Sequence, residues 1–117
     1  MKHRKIVQPE SLNDQGFLFG GNLLKWVDES AYITASLDYP GNRFVTISLD
    51  EVTFKHPILQ GEILCFDVQM IRKGTTSVSY KIDVTGEKLA GHSEPLFVTE
   101  ITFVNVDDNS QPTSIIQ

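Results

Sequence analysis

Apolar positions recur with helical spacing soon after the start of the chain: Leu23, Leu24, Val27, Ala31 and Ala35 gather on one side at about 100° per residue. This spacing predicts a helix from Gly21 to about Leu37. Trp26, Ile33 and Leu37 form a second apolar strip, leaving Lys25, Glu29 and Ser36 as a narrow polar edge, so the helix is expected to be nearly surrounded by protein. Tyr39-Pro40-Gly41-Asn42 ends it with turn chemistry. The period then falls to two. Val45, Ile47 and Leu49 share a face, the pattern slips at Asp50-Glu51, and Val52 and Phe54 resume it, which reads as a strand with a bulge. Leu64, Phe66, Val68 and Met70 alternate next, and Lys73-Gly74 closes a hairpin. Val78, Tyr80, Ile82 and Val84 then alternate against Ser77, Ser79, Lys81 and Asp83, a strand with one wet face. Beyond a loop from Gly86 to Pro95, the run Leu96 to Val106 is apolar on both faces in places, as a central or interface strand is. A short strand near Lys5 to Gln8 and a polar tail from Asp107 to Gln117, expected to be loose, complete the chain. One buried helix with a run of antiparallel strands defines an α+β domain whose sheet wraps around the helix.

A length of 117 residues gives one domain over 1–117 and leaves no room for a separate cofactor domain. Ten Lys plus Arg against fifteen Asp plus Glu, a formal charge of -5, argues against a nucleic-acid partner, because no excess of cations is available to displace counterions from a phosphate backbone. The single cysteine, Cys65, sits in an apolar run and cannot build a disulfide framework or a zinc cluster within one chain, which suits a reducing cytoplasm. Apolar stretches reach only about four residues, far short of the roughly twenty that span a bilayer, so no membrane association is expected.

Phe19-Gly20-Gly21-Asn22 opens the helix, and two glycines there let a ligand approach the unpaired N–H groups of the first turn, where negative charge is favoured. An oxyanion formed from a carbonyl suits that position, although a Gly pair is more often only a tight loop-to-helix turn. Asp28, close in angle to Leu24 and Ala35, is a carboxylate in partly apolar surroundings and needs a partner or a chemical role. A hydrogen bond to a neighbouring loop accounts for it as well as catalysis does. Asn13 lies just ahead of the helix, placed to orient a water or a carbonyl, or simply to make a turn. Lys73-Gly74-Thr75-Thr76-Ser77 offers a cation and hydroxyls at a hairpin, suited to phosphates or a pantetheine amide. His3, His56 and His92 are scattered, with no second metal ligand at helical spacing and no serine in a nucleophile-elbow sequence, so neither a metal nor a Ser-His-Asp triad is expected.

Together, Asn13 followed by Gly16, Phe19-Gly20-Gly21, Val27-Asp28, Thr53-Phe54-Lys55-His56-Pro57, Gly61-Glu62, Lys73 to Ser77 and Thr99-Glu100 resemble, in order and spacing, a hotdog-fold acyl-CoA thioesterase of the YciA type, similar to the brain-type acyl-CoA hydrolases. The resemblance covers roughly Ile6 to Asp107. It implies a sheet wrapped round a central helix, a dimer whose sheets join edge to edge, often a trimer of such dimers, and hydrolysis of an acyl-CoA to free acid and CoA without a dissociable cofactor. Asp28 falls on the family's catalytic acid, Asn13 on its loop asparagine, Gly20-Gly21 on the glycines opening its helix, and Arg72, Lys73, Gly74, Thr75, Thr76 and Ser77 on a CoA-contacting hairpin. Lys55, Arg72 and Lys73 are the cations expected to meet the CoA phosphates. Ser30 replaces the small glycine or alanine common after the acid, which narrows the acyl tunnel, and His56 departs from the usual Lys-Pro or Arg-Pro pairing. Three alternatives share the fold, one of them the phenylacetyl-CoA type of hotdog thioesterase, which has the same Gly-Gly and Asp spacing but as a rule lacks the Lys73 to Ser77 hairpin. A hydratase or dehydratase needs a His base beside the acid, and none lies on or next to the helix; a non-catalytic acyl-CoA-binding protein has no need of Asp28. Finally, Asp28 lies seven residues beyond Gly21, about 10 Å along a helix, too far for one substrate carbon to touch both in a single subunit. Two chains are therefore expected to share each site.

Overall fold

The computed structural model, which describes residues 1–89 and 94–117, runs in the order β1 (Lys2–Ile6), a 3-10 turn (Pro9–Ser11), α1 (Gly20–Asp38), β2 (Phe44–Phe54), β3 (Ile63–Lys73), β4 (Ser77–Gly86) and β5 (Phe97–Asn105). The five strands form one antiparallel sheet in the order β1-β3-β4-β5-β2, so β1 and β2 are its two edges. Alternation directs Phe66, Val68, Val78, Tyr80, Ile82, Val84, Phe97, Ile101 and Phe103 to one face, where each is essentially inaccessible to water. Each large apolar side chain buried this way contributes about 1.5–3 kcal/mol. On the opposite face of β4 Lys81 is exposed and Asp83 half-buried, but Ser79, expected to be wet, is buried with its hydroxyl 2.7 Å from Thr102 Oγ1, and β5 lies between β4 and β2, as its two-sided apolarity requires.

Helix α1 lies on the inward face. Leu23, Val27, Ala31 and Ala35 are buried, and the two alanines let the helix axis come close to the sheet. The hydroxyl of buried Tyr80 donates to Asp38 Oδ2 at 2.9 Å, which ties the last helical turn to β4 and satisfies a phenol that has left water. The second apolar strip behaves differently from expectation. Trp26 is buried, but Ile33 and Leu37 are exposed in the single chain, because the sheet covers one side of the helix only. The slip expected near Asp50 is a register shift between Asp50 and Thr53, and a second lies between Thr46 and Ser48.

The first strand begins earlier than the Lys5–Gln8 pattern indicated. Charged residues occupy it, and alternation carries no signal there. The larger correction is the tail, which is docked and not loose. Thr113 N donates to the Asn105 carbonyl, Ile115 N to the Thr75 carbonyl, and Ile116 N to Asn42 Oδ1, while the Ile115 side chain is buried. Asn105 itself is buried, accepting from Arg43 N through Oδ1 and donating to the Ser114 carbonyl through Nδ2. Cys65 is a buried strand residue whose thiol pKa is pushed up by burial. Of the loop expected from Gly86 to Pro95, residues 90–93 lie outside the described residues, His92 among them. Among the described residues, no helix is long and apolar enough to cross a membrane.

Candidate active site

Asp28 stands half-buried in the middle of α1, facing the sheet edge, where Thr46 Oγ1 donates to its Oδ1 at 2.8 Å. One carboxylate oxygen is thus held by β2 and the other is left for chemistry. Thr46 is a site residue that the sequence pattern did not single out: a threonine in a strand is ordinary, and no spacing links residue 46 to residue 28. Around this pair opens a cleft of about 330 Å³ lined by Lys25, Asp28, Glu29, Tyr32, Phe44 and Thr46.

Asn13 lies in a different cleft, of about 340 Å³, with Phe17, Leu18, Leu23, Phe54, Lys55, His56, Pro57 and Ile58. Its Oδ1 accepts from Gln15 N at 2.9 Å and Phe17 N at 3.0 Å, so the side chain does shape a turn, which closes through Gly16 at a φ of 85°. Among the described residues the Asn13 Nδ2 group has no partner and remains a donor for a ligand. His56, set apart in the sequence, is brought to this cleft; His3 instead hydrogen-bonds Thr34 on the far side of the helix.

The glycine pair opens the helix. A Cβ on Gly21 would come within 2.8 Å of the exposed Phe19 ring, whereas one on Gly20 would make only ordinary contact with Phe54 at 3.4 Å. Helix-start N–H groups have no helical acceptor, and those of Gly20 and Gly21 make no other hydrogen bond among the described residues, whereas Asn22 N and Leu23 N bond to the Phe19 carbonyl. Gly21 is exposed.

Within one chain Lys55 lines a cleft with Glu100, to which Arg72 is paired, but Lys73 lies apart from Lys55. Lys55 follows the end of β2 that pairs with Phe97, whereas Lys73 opens the hairpin, opposite Val78 and, across the sheet, Phe103. Six residues of β5 separate those levels, about 20 Å at roughly 3.4 Å per residue. Arg72 pairs with Glu100 at 3.6 Å, and Lys73 Nζ sits 5.5 Å from the Tyr39 ring. Gly74 N donates to the Ser77 carbonyl; the Thr75 and Thr76 carbonyls receive Ile115 N and Asn105 N, so the docked tail braces the hairpin. The same strand levels separate Asp28, whose partner Thr46 pairs with Phe103, from Asn13, whose cleft includes Phe54 opposite Phe97.

Known proteins resemble this chain in sequence and in fold. The family described as the Thioesterase superfamily matches residues 15–90. The acyl-CoA thioester hydrolase YciA of Escherichia coli (strain K12) is 34% identical over 118 residues, covering 96% of this chain and 87% of that protein. The crystal structure of a hexameric thioesterase from Yersinia pestis superposes with a TM-score of 0.89 at 28% identity, over 98% of this chain and 93% of that one. An acyl-CoA hydrolase from Staphylococcus aureus, solved with butyryl coenzyme A and coenzyme A, has a TM-score of 0.83 at 30% identity, over 99% of this chain and 68% of its own. That hydrolase has also been solved with an aspartate, and separately with an asparagine, changed to alanine. The match across most of the chain, in sequence and in the antiparallel sheet with one long helix, places this protein in the thioesterase superfamily with the hotdog fold.

Proposed function

We propose that the protein hydrolyses acyl-CoA thioesters to the free acid and CoA, at two equivalent sites that a homodimer assembles, each from Asp28 of one protomer and the partner's Asn13 and Gly21. The observation that carries this reading is the position of the two clefts at opposite ends of β2, the bare edge of the sheet. Antiparallel pairing of two β2 edges about a twofold axis sets the Phe44 end of one strand beside the Phe54 end of the other. The Asp28 cleft then meets the partner's Asn13 cleft, and Lys73 of one chain approaches the partner's Lys55. Residue spacing supports the pairing of roles: the aspartate and asparagine altered in the Staphylococcus aureus hydrolase stand 15 positions apart, as Asn13 and Asp28 do.

In this site the thioester carbonyl oxygen points at the Gly21 N–H, with the Asn13 Nδ2 donor nearby. The free oxygen of Asp28 takes a proton from water as the water oxygen bonds to the carbonyl carbon, or attacks that carbon itself to give a mixed anhydride that water then opens. In both routes negative charge builds on the carbonyl oxygen, where fixed N–H dipoles stabilise it. Collapse breaks the C–S bond; in the first route the departing thiolate recovers the proton from Asp28, and in the second it takes one from the water that opens the anhydride. No dissociable cofactor is required. Lys55, Arg72 and Lys73 supply the cations for the CoA phosphates, Gly74 to Ser77 the hairpin along which CoA lies, and the assembly beyond the dimer is a hexamer of three dimers. A single domain with one buried thiol suits the cytoplasm.

The direct test measures thiol release from a panel of acyl-CoAs with a thiol-reactive dye. Wild-type protein should turn over, and Asp28→Asn, which keeps shape and removes the base, should lose at least about a hundredfold in turnover. Wild-type rates in that variant would remove Asp28 from the chemistry.

A further inference from the structure

The cleft at Asp28 has two kinds of wall. Lys25 and Glu29 are exposed and charged at its rim, whereas its aromatic surface comes from buried Phe44 and from Tyr32, which is 45% exposed in the single chain. An acyl chain whose carbonyl carbon lies at Asp28 loses its contact with water only by running toward the two rings. Tyr32 stands four residues beyond Asp28, one turn along α1, about 6 Å at 1.5 Å per residue. The Tyr32 ring is set edge-on against Phe103, centroids 6.2 Å apart at 68°, and Phe44 lies 6.2 Å from the same Phe103 ring. Phe103 is fully buried, so the three rings form one anchored cluster. Ser30, suspected from the sequence of narrowing the tunnel, is buried and does not line this cleft.

Building on the thioesterase reading, we propose that Tyr32 is a specificity-determining residue: with Phe44 behind it, it closes the acyl end of the site and restricts the enzyme to short acyl chains. The helical rise of about 6 Å from Asp28 to Tyr32 matches the advance of four or five carbon–carbon bonds, since a bond of about 1.5 Å advances an extended chain by somewhat less than its length. Butyryl fits ahead of the ring. Octanoyl reaches past it and must displace either the Tyr32 ring or its packing on Phe103.

The experiment compares kcat/KM for butyryl-CoA and octanoyl-CoA in wild type, Tyr32→Ala and Tyr32→Trp. The readout is the ratio of the two substrates within one preparation, which does not depend on how much of a variant has folded. Wild type should favour butyryl-CoA. Tyr32→Ala should raise the octanoyl-to-butyryl ratio by about tenfold or more, a modest demand for four added methylenes, and Tyr32→Trp should lower it below wild type. A wild type that cleaves both esters equally well, or a ratio in Tyr32→Ala within about twofold of wild type, overturns the inference while leaving the thioesterase reading intact. Absence of cleavage of any acyl-CoA by wild type overturns both.

Discussion

The two edges of the sheet are built to opposite rules. Strand β1 is five residues long and carries Lys2, Arg4 and Lys5; Arg4 pairs with Glu87 at 2.6 Å, Lys5 sits 5.5 Å from the Trp26 ring, and the Met1 ammonium donates to the Val68 carbonyl. Short length and lysines are the means by which an edge avoids pairing with another chain. Strand β2 is eleven residues long and leaves Val45, Ile47, Val52 and Phe54 between 40% and 59% exposed. A long apolar edge of that kind is unsafe unless another strand covers it. The exposed Ile33 and Leu37 strip on α1 also lacks cover in the single chain. The difference marks β2 as the edge that the proposed dimer would cover, and the Asp28 and Asn13 clefts lie at its two ends.

Charging the two edges breaks the comparison most severely. Ile47→Lys with Val52→Lys on β2 should give a monomer by analytical ultracentrifugation and reduce turnover by at least about a hundredfold, although Asp28 and Asn13 are untouched. Ile6→Lys on β1, an exposed position, should change stability by no more than about 0.5 kcal/mol and leave the assembly as it is. A β2 double variant that stays dimeric and fully active would mean that the partner docks elsewhere.

Mixing inactive chains sharpens the same point with a smaller signal. Asn13→Ala and Asp28→Ala dimers, dissociated and reassociated in equal amounts, should form mixed dimers with one doubly damaged site and one intact site. Random pairing restores about a quarter of the wild-type sites. Subunit exchange confirmed by native mass spectrometry, with activity as low as in either parent, would place each site within one chain.

Much of this architecture was legible in the residues. The helix face Leu23, Val27, Ala31, Ala35, the inward face of β4 and the bulge after Asp50 all follow from periodicity, since burial on one side leaves a period. The gap between Gly21 and Asp28 raises the expectation of a shared site because helical rise is fixed, and the mixing of inactive chains is its test. The docked tail was not legible. Backbone groups and the Asn105 and Asn42 amides hold it, and of its residues only Ile115 buries an apolar side chain, so hydropathy carries almost no trace of it. Nor was the Thr46–Asp28 bond, or the contact of Tyr32 with Phe103, because such contacts between distant elements depend on strand register, which one sequence does not specify at single-residue precision. The exposure of Ile33 and Leu37 has the same origin: an apolar strip reports burial without saying whether its own chain or a second one provides it.

The smallest expected effect tests how the β1 edge is closed by its own chain. His3 Nε2 lies 2.9 Å from Thr34 Oγ1, whose hydroxyl donates to the Ser30 carbonyl at 2.9 Å, so His3 is the donor and the neutral ring suffices. Burial lowers the His3 pKa from its usual 6.5, and the nearby Met1 ammonium adds to the shift. The unfolded chain therefore binds this proton more readily than the folded one. Above about pH 6.5 neither state is protonated and the contribution to stability is complete; as pH falls below that value the unfolded state gains the proton first, and stability is lost until the pH passes the folded value. Tm should drop between pH 7.5 and pH 5.5, above the range in which unperturbed carboxylates titrate. His3→Gln keeps a side-chain amide donor for Thr34 and removes the titration, so its drop should be smaller, by on the order of a degree or two. An unchanged slope in His3→Gln would assign the acid sensitivity to other groups and leave β1 held by the Arg4–Glu87 pair and the Met1 ammonium without help from His3.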